Sequence, residues 1–275
     1  MNKLPSENDT VFYLRTENGQ FQFENNELTN RGCLFGDGIF ETMIFTWTEF
    51  RFATQHIYRA TKGCQMLDLV LNVDEAFSLV ELFVKEKYDG QILRVRWNIF
   101  RSSKGKYTPI SNDTQQSLII EPFCYLSPQS KVAFINEQFS VPNLPWSNCK
   151  TLNAMLYVQA GIARKKAGFE EIILLDTQGH VCEAGAANLF WVKDGIYYTP
   201  SLKTSCIEGV SRCVIIKKLK ELEIKVLEGE YNPSEVLKAD LVFTSNVTGI
   251  HYISKINSTG FNIEPVEFLE SLFMI

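Results

Sequence analysis

Two periods of apolar residues run along this chain, one of two and one of three to four, and they take turns. From Thr10 to Thr16 apolar and polar residues alternate singly, Glu17-Asn18-Gly19 reads as a turn, and Gln20 to Phe23 resumes the alternation, so a β-hairpin is expected first. Asn30 to Gly38 carries three glycines and reads as a turn, with Gly36-Asp37-Gly38 expected to need positive φ; Ile39 to Thr48, rich in β-branched and aromatic residues, then reads as a long strand. Between Gln55 and Leu69 the spacing changes to that of a helix, with Ile57, Ala60, Cys64 and Leu67 forming one apolar stripe. A second helix is expected over Asp74 to Lys85, followed by strands over Gln91 to Phe100 and Ser117 to Cys124.

The pattern breaks between Pro122 and Lys131, where Ser127-Pro128-Gln129-Ser130 marks a boundary. After a short strand from Val132 to Ile135, the chain runs irregularly past Pro142 and Pro145 into a helix with an expected apolar face of Met155, Val158 and Ile162. Ile172 to Leu175, Val181-Cys182, Leu189 to Val192 and Ile196 to Thr199 read as strands joined by tight turns, Asp194-Gly195 being a strong hairpin signal. Gly209 opens a helix with the stripe Ile215, Leu219 and Leu222; Ile224 to Leu227 and Asp240 to Thr244 are further strands, and Glu264 to Phe273 is a terminal helix. Helices and strands thus alternate in a mixed α/β (α+β) chain of two domains: residues 1–125, a linker at 126–131, and residues 132–275.

A length of 275 residues suits two cores better than one, and 45% hydrophobic with 21% charged residues describes a globular chain. A net charge of −5 provides no basic field, so nucleic acid is not expected as a partner. Neither a signal peptide nor an apolar run near the ~18 residues of a membrane span is evident, and the expected location is cytoplasmic. Seven cysteines without a CxxC pair fit reduced thiols in that compartment. His56, His180 and His251 are widely separated, so no metal is expected; a P-loop and a GxGxxG fingerprint are both absent.

Candidate chemistry gathers between Cys149 and Arg212. Lys150 offers an amine, Glu183 a carboxylate, and Gly209-Val210-Ser211 a glycine-opened helix start whose N–H groups suit a phosphate. Read singly, these are a surface lysine, a strand-end glutamate and a plain helix cap. Together they are what a protein must present to pyridoxal phosphate.

At these residues, and at Arg31-Gly32-Cys33-Leu34-Phe35-Gly36-Asp37-Gly38-Ile39-Phe40-Glu41-Thr42, His56-Ile57-Tyr58-Arg59 and Thr244-Ser245-Asn246-Val247-Thr248, the sequence resembles the fold-type IV (class IV) pyridoxal-phosphate enzymes. That family includes branched-chain aminotransferases, D-amino acid aminotransferases and 4-amino-4-deoxychorismate lyases. The resemblance implies a small N-terminal α/β domain, a larger C-terminal mixed-sheet domain, an active site between them, and a homodimer. It further implies that Lys150 forms the Schiff base and moves the proton, and that Glu183 faces the pyridine nitrogen. Arg59, Val210, Ser211 and Asn246 would meet the phosphate. Periodicity alone makes Arg59 a solvated arginine, because it lies off its helix's apolar stripe.

Phe40, Arg94, Arg96 and Arg101 are candidate substrate residues. Arg94 and Arg96 share a strand face by period-two spacing, and Glu41 is a possible partner for them. The loop Arg101 to Pro109 has a solvated hairpin as its plain reading for Lys104 and Lys106. Phe40, and a loop after Phe100 without histidine, disfavour D-amino acid specificity. Amino transfer between a small amino acid and a 2-oxo acid is the first expected activity, and release of pyruvate and 4-aminobenzoate from aminodeoxychorismate the second. A catalytically silent cofactor-binding protein is the reading from another class.

Overall fold

The computed structural model describes residues 11–16, 18–23, 30–103, 105–125 and 129–274. The expectations at Thr10, Glu17, Lys104 and Ser127-Pro128 fall outside them. Contacts divide the chain into two compact units, Met1–Cys124 with Cys149–Ala154, and Tyr125–Asn148 with Met155–Ile275.

Among the described residues the first unit forms a six-stranded antiparallel sheet. Its strands are β1 (Val11–Arg15), β2 (Phe21–Phe23), β3 (Gly38–Thr46), β4 (Glu49–Phe50), β5 (Ile92–Arg101) and β6 (Thr114–Pro122), in the order β2-β1-β6-β5-β3-β4. Period two gives the sheet two unlike faces. Met43 and Phe45 of β3, Val95 and Trp97 of β5 and Leu118 and Ile120 of β6 are buried in the unit's core. Two helices supply the other half of that core: α2 (Ala53–Met66), through Ala60 and Cys64, and α3 (Val73–Lys87), through Phe77, Val80 and Val84. The start of α3 is fixed by the Asn72 side chain accepting from Glu75 N, with Asp74 and Glu75 in the first turn and Lys85 and Lys87 in the last, signs that suit the helix dipole.

The expected turn over residues 30–38 holds a short helix, α1 (Arg31–Phe35), capped by Asn30 and ended by Gly36 at φ 66°. Gly38 differs from the expectation, since close approach rather than positive φ demands it. A Cβ there would lie 2.3 Å from the Ile99 carbonyl oxygen and 2.9 Å from Leu152 Cδ1.

The second unit is built on a nine-stranded mixed sheet among the described residues. It comprises β7 (Ser130–Ile135), β8 (Glu171–Leu175), β9 (Val181–Ala184), β10 (Asn188–Lys193), β11 (Ile196–Pro200), β12 (Val226–Gly229), β13 (Leu241–Asn246) and β14 (Gly249–Ile256), with β15 (Thr259–Gly260) on β14. The order is β12-β11-β10-β13-β14-β7-β8-β9, and β7 runs parallel to both β8 and β14. β14, central to the sheet, has no counterpart in the sequence reading. Both faces of β14 are covered, so Ile250 and Tyr252 are buried on one and Ile253 on the other, and a register shift between Ile253 and Lys255 brings Ile256 into the cluster of Ile253, leaving no period of two. The β10–β11 hairpin turns through Asp194 (φ 50°) and Gly195 (φ 73°), as that dipeptide requires.

Helix α4 (Met155–Ala167) corrects the expected face. Met155, Val158 and Ile162 are 62%, 52% and 40% exposed, whereas Leu156, Tyr157, Ala160 and Ala163 pack with Val141, Ile172, Leu174, Cys182 and Cys206. Both faces of this helix carry apolar residues at helical spacing, so periodicity could not choose between them. In α5 (Val210–Glu221) Ile215 and Leu219 are fully buried, but Leu222 caps the end and is exposed. The short helices α6 (Pro233–Val236) and α7 (Glu267–Ser271) complete the unit.

Candidate functional site

In the first unit, Lys150 is presented by backbone pairing with β3. Phe40 N donates to Lys150 O at 2.9 Å, Leu152 N donates to Gly38 O at 2.8 Å, and Ile39 and Thr151 form an antiparallel bridge. Residues opposite one another in an antiparallel pair share a face, so Lys150 falls with Phe40, and Cys149 and Thr151 fall with Glu41 and Ile39. Lys150 Nζ lies 4.7 Å from the Phe40 ring centroid. The glycine turn and the lysine segment, far apart in sequence, therefore meet, and Gly36, where a Cβ would lie 2.9 Å from Asn153 N and Cα, lets the two backbones close.

The same ring carries a second cation. Arg96 Cζ lies 3.6 Å from the Phe40 centroid, its Nε donates to Asn98 Oδ1 at 2.8 Å, and Asn98 Nδ2 donates to Ser117 Oγ at 3.1 Å. Burial first, and the charge of Arg94 second, bring the Arg96 guanidinium down to about 10. Arg94 lies on the same face, half-exposed, with Nη1 on Glu121 Oε2 at 2.5 Å. Arg101 differs from both. Its Nε donates to Asp37, its Nη1 to Asp68 O and Asn112 Oδ1, and its Nη2 to Leu67 O, so this guanidinium ties together pieces of the framework.

Glu41 is not the partner of Arg94 or Arg96; it points to the opposite face of β3, towards α2. Its Oε1 accepts from Arg59 Nε at 2.8 Å, and its Oε2 accepts from Arg59 Nη2 at 2.5 Å and pairs with His56 Nδ1 at 2.6 Å. Arg59 is thus buried and charge-paired, where the helix stripe alone placed it in solvent. Burial pushes the Glu41 carboxyl up, but Arg59 and His56 outweigh it and hold it at about 2, while burial lowers His56 below its ordinary 6.5.

Both shifts make the unit acid-sensitive. Below pH 6.5 the unfolded chain protonates at His56 and the folded one resists, and from pH 4.5 towards 2 the unfolded chain protonates at Glu41 before the folded one does. Stability is therefore complete above the unfolded values and falls with pH, the Glu41 step amounting to about 3 kcal/mol. Chemical denaturation at a series of pH values is expected to show the lower step in the wild type and to lose it in Glu41→Gln.

The second unit holds the other candidates. Glu183, on β9 and buried, accepts from Tyr157 Oη at 2.7 Å and from Ile207 N at 3.3 Å. Burial, reinforced by the Glu183 charge, raises the Tyr157 hydroxyl far above its ordinary value, so it stays protonated and donates. The cap of α5, Gly209, has no side-chain acceptor, which leaves first-turn N–H groups to other partners. Glycine is required there because a Cβ would lie 1.9 Å from Asn188 Oδ1. Asn188 Nδ2 donates to Ser211 Oγ at 2.8 Å and to Ser245 O at 2.8 Å, and the Ser211 and Ser245 hydroxyls are 3.3 Å apart. Asn246 Oδ1 accepts from Thr248 N at 2.8 Å inside the β13–β14 turn, and its Nδ2 donates to Ala186 O at 3.4 Å. Its side chain thus serves the turn.

Tyr157, Asn188 and Ser245 were not singled out by sequence reasoning. Ser245 stands inside a motif quoted for its neighbours and Asn188 directly before the expected strand Leu189 to Val192; nothing in the pattern marks an inward-facing tyrosine on α4.

These donor sets suit a phosphorylated pyridine aldehyde. A half-buried lysine amine lies on an aromatic face, a buried carboxylate is held by two donors, and a helix start without a side-chain cap adjoins two buried hydroxyls.

A family model described as amino-transferase class IV matches residues 38–256. A probable branched-chain-amino-acid aminotransferase of Synechocystis is 26% identical over 222 residues, covering 79% of this chain and 68% of that one. The branched-chain-amino-acid aminotransferase of Escherichia coli is 38% identical over 93 residues, which cover 34% of this chain and only 30% of that enzyme. Among solved structures, a branched-chain aminotransferase from Thermoproteus uzoniensis with norvaline matches with a TM-score of 0.86 at 20% identity, over 96% of this chain and 93% of that one. The 4-amino-4-deoxychorismate lyase from Pseudomonas aeruginosa matches at 0.79 and 21% identity, over 90% and 94%. At such identities these two structures speak for the fold.

Proposed function

Because the chain belongs to the class IV aminotransferases, a pyridoxal-phosphate-dependent family, we propose that it transfers an amino group between a small amino acid and a 2-oxo acid, with Lys150 as the catalytic amine. The observation that supports this most is the placing of Lys150 Nζ and the Arg96 guanidinium on one Phe40 ring. An amine that must act as nucleophile and base needs a nearby cation or burial to favour its neutral form. Lys150 is half-buried and shares the Phe40 ring with Arg96, whose planar fork also suits a carboxylate of the substrate.

When bound, pyridoxal phosphate supplies a carbonyl carbon open to amines and a protonated ring that delocalises the electron pair left as a bond to the substrate's α-carbon breaks. Lys150 would hold that carbonyl end, take the proton from the α-carbon and deliver it to the former carbonyl carbon, the transfer that moves the amino group. Glu183, oriented by Tyr157 and the Ile207 N–H, provides the negative charge that keeps a ring nitrogen protonated. The first-turn N–H groups of Val210 and Ser211, the Ser211 hydroxyl and Arg59 take the phosphate. Arg94 and Arg96 on one half-open sheet face favour a donor with a second carboxylate.

Absorbance spectra of the purified protein with glutamate, branched-chain amino acids and aminodeoxychorismate test the proposal, with product analysis alongside. An amino-acid-dependent loss of the yellow band with 2-oxo acid formation is expected. Release of 4-aminobenzoate and pyruvate without 2-oxo acid from amino acids would replace transfer with the lyase reaction, and no response to any substrate would leave a silent binder.

A further inference from the structure

Three of the four odd-numbered positions on the core face of β3 are apolar, Ile39, Met43 and Phe45; the fourth is Glu41, 1% exposed. A buried carboxylate is costly even when paired, and well-packed apolar residues often serve stability as well. His56 adds to the cost. A carboxylate only accepts, so the proton of the His56 ring sits on Nδ1, and Nε2, with no hydrogen-bond partner among the described residues, is a bare lone pair in a residue 0% exposed. Stability alone gives no reason for this cluster.

Its geometry gives one. Glu41 takes Nε and Nη2 of Arg59 with separate oxygens, which fixes the plane of the guanidinium, while His56 holds the shared oxygen Oε2. We propose that Glu41, braced by His56, is a positioning residue that sets the Arg59 guanidinium for the cofactor's phosphate. The inference rests on the reading that Arg59 meets that phosphate. Glu41 acts through Arg59 and touches neither substrate nor cofactor.

Because the effect runs through the phosphate, it must vanish when the phosphate does. The full chain, freed of cofactor, is titrated with pyridoxal phosphate and with pyridoxal, following absorbance, for the wild type, Glu41→Gln, Arg59→Ala and the double variant. Thermal unfolding is recorded beside each. Glu41→Gln is expected to weaken pyridoxal phosphate roughly tenfold and pyridoxal less than about twofold, and to add nothing in the Arg59→Ala background, the mark of two residues acting as one unit.

Equal losses for both ligands would make Glu41 merely structural and overturn the inference. An unchanged Glu41→Gln beside a weakened Arg59→Ala would also overturn it, leaving the phosphate role of Arg59 standing. An unchanged Arg59→Ala would remove that role and the inference together, without touching Lys150. Should Glu41→Gln fail to fold, Glu41→Asp keeps the charge with a shorter reach, and an intermediate loss confined to the phosphorylated ligand is expected; an equal loss for both ligands again overturns the inference.

Discussion

Lys150→Ala is expected to lower turnover by at least roughly a thousandfold and to abolish the yellow absorbance of the purified protein. The size follows from the two duties assigned to one nitrogen, nucleophile and proton carrier, which no neighbour can assume. Arg96, beside the same ring, remains charged at neutral pH, and Cys149 lies on the other face of the pairing. The fold should survive, because the segment is held to β3 by main-chain bonds that alanine retains. Lys150→Arg sharpens the test. It keeps a cation against Phe40 but has no accessible neutral form, so it should be as inactive as alanine. Full activity or retained absorbance in either variant would place the reacting amine elsewhere.

The second large effect is expected at Glu183. Glu183→Gln keeps the shape of the side chain and one acceptor oxygen, enough for one of the two donors Tyr157 Oη and Ile207 N, but removes the negative charge. Loss of one preorganised charge of this kind costs on the order of a hundred- to a thousandfold in kcat. The KM should move little if the carboxylate acts on the ring rather than on the substrate. Tyr157→Phe is a milder probe of the same contact, since it removes one of the donors that orient the carboxylate. Steady-state kinetics on both variants check the pair, and a Glu183→Gln enzyme with unchanged kcat would detach this residue from the chemistry.

The mixed α/β fold was legible where β-branched and aromatic residues ran together, as in β3 and β5, or where a turn dipeptide stood between strands, as in the β10–β11 hairpin. It failed at β14, where both faces of the sheet are covered, so that adjacent Tyr252 and Ile253 are each buried, and where a register shift after Ile253 disturbs the alternation further. Helix α4 was located but turned the wrong way, because small Ala160 and Ala163 pack inward while larger Met155 and Val158 stand outside. Hydrophobicity ranks those pairs oppositely to their burial. Arg59 shows the same limit in reverse, since an ion pair can bury a charge that a stripe assigns to water. The candidate site was legible as residue types in order. The contacts of Lys150 with Phe40, and of Glu183 with Tyr157, depend on pairings between distant segments that no local pattern contains.

Residues 149–154 leave the second unit's chain to pair with the first, then hand the chain back at Met155. A fragment stopped at Cys124 would consequently carry β3 without the neighbour that bonds Gly38 and Phe40, and with Gly38 opened to water where Leu152 Cδ1 should cover it. During synthesis the N-terminal sheet must likewise wait for the ribosome to release Ala154 before this edge can close. That wait is a long-range loop closure placed on the lysine itself. Neither unit is a cassette that gene fusion could transplant whole.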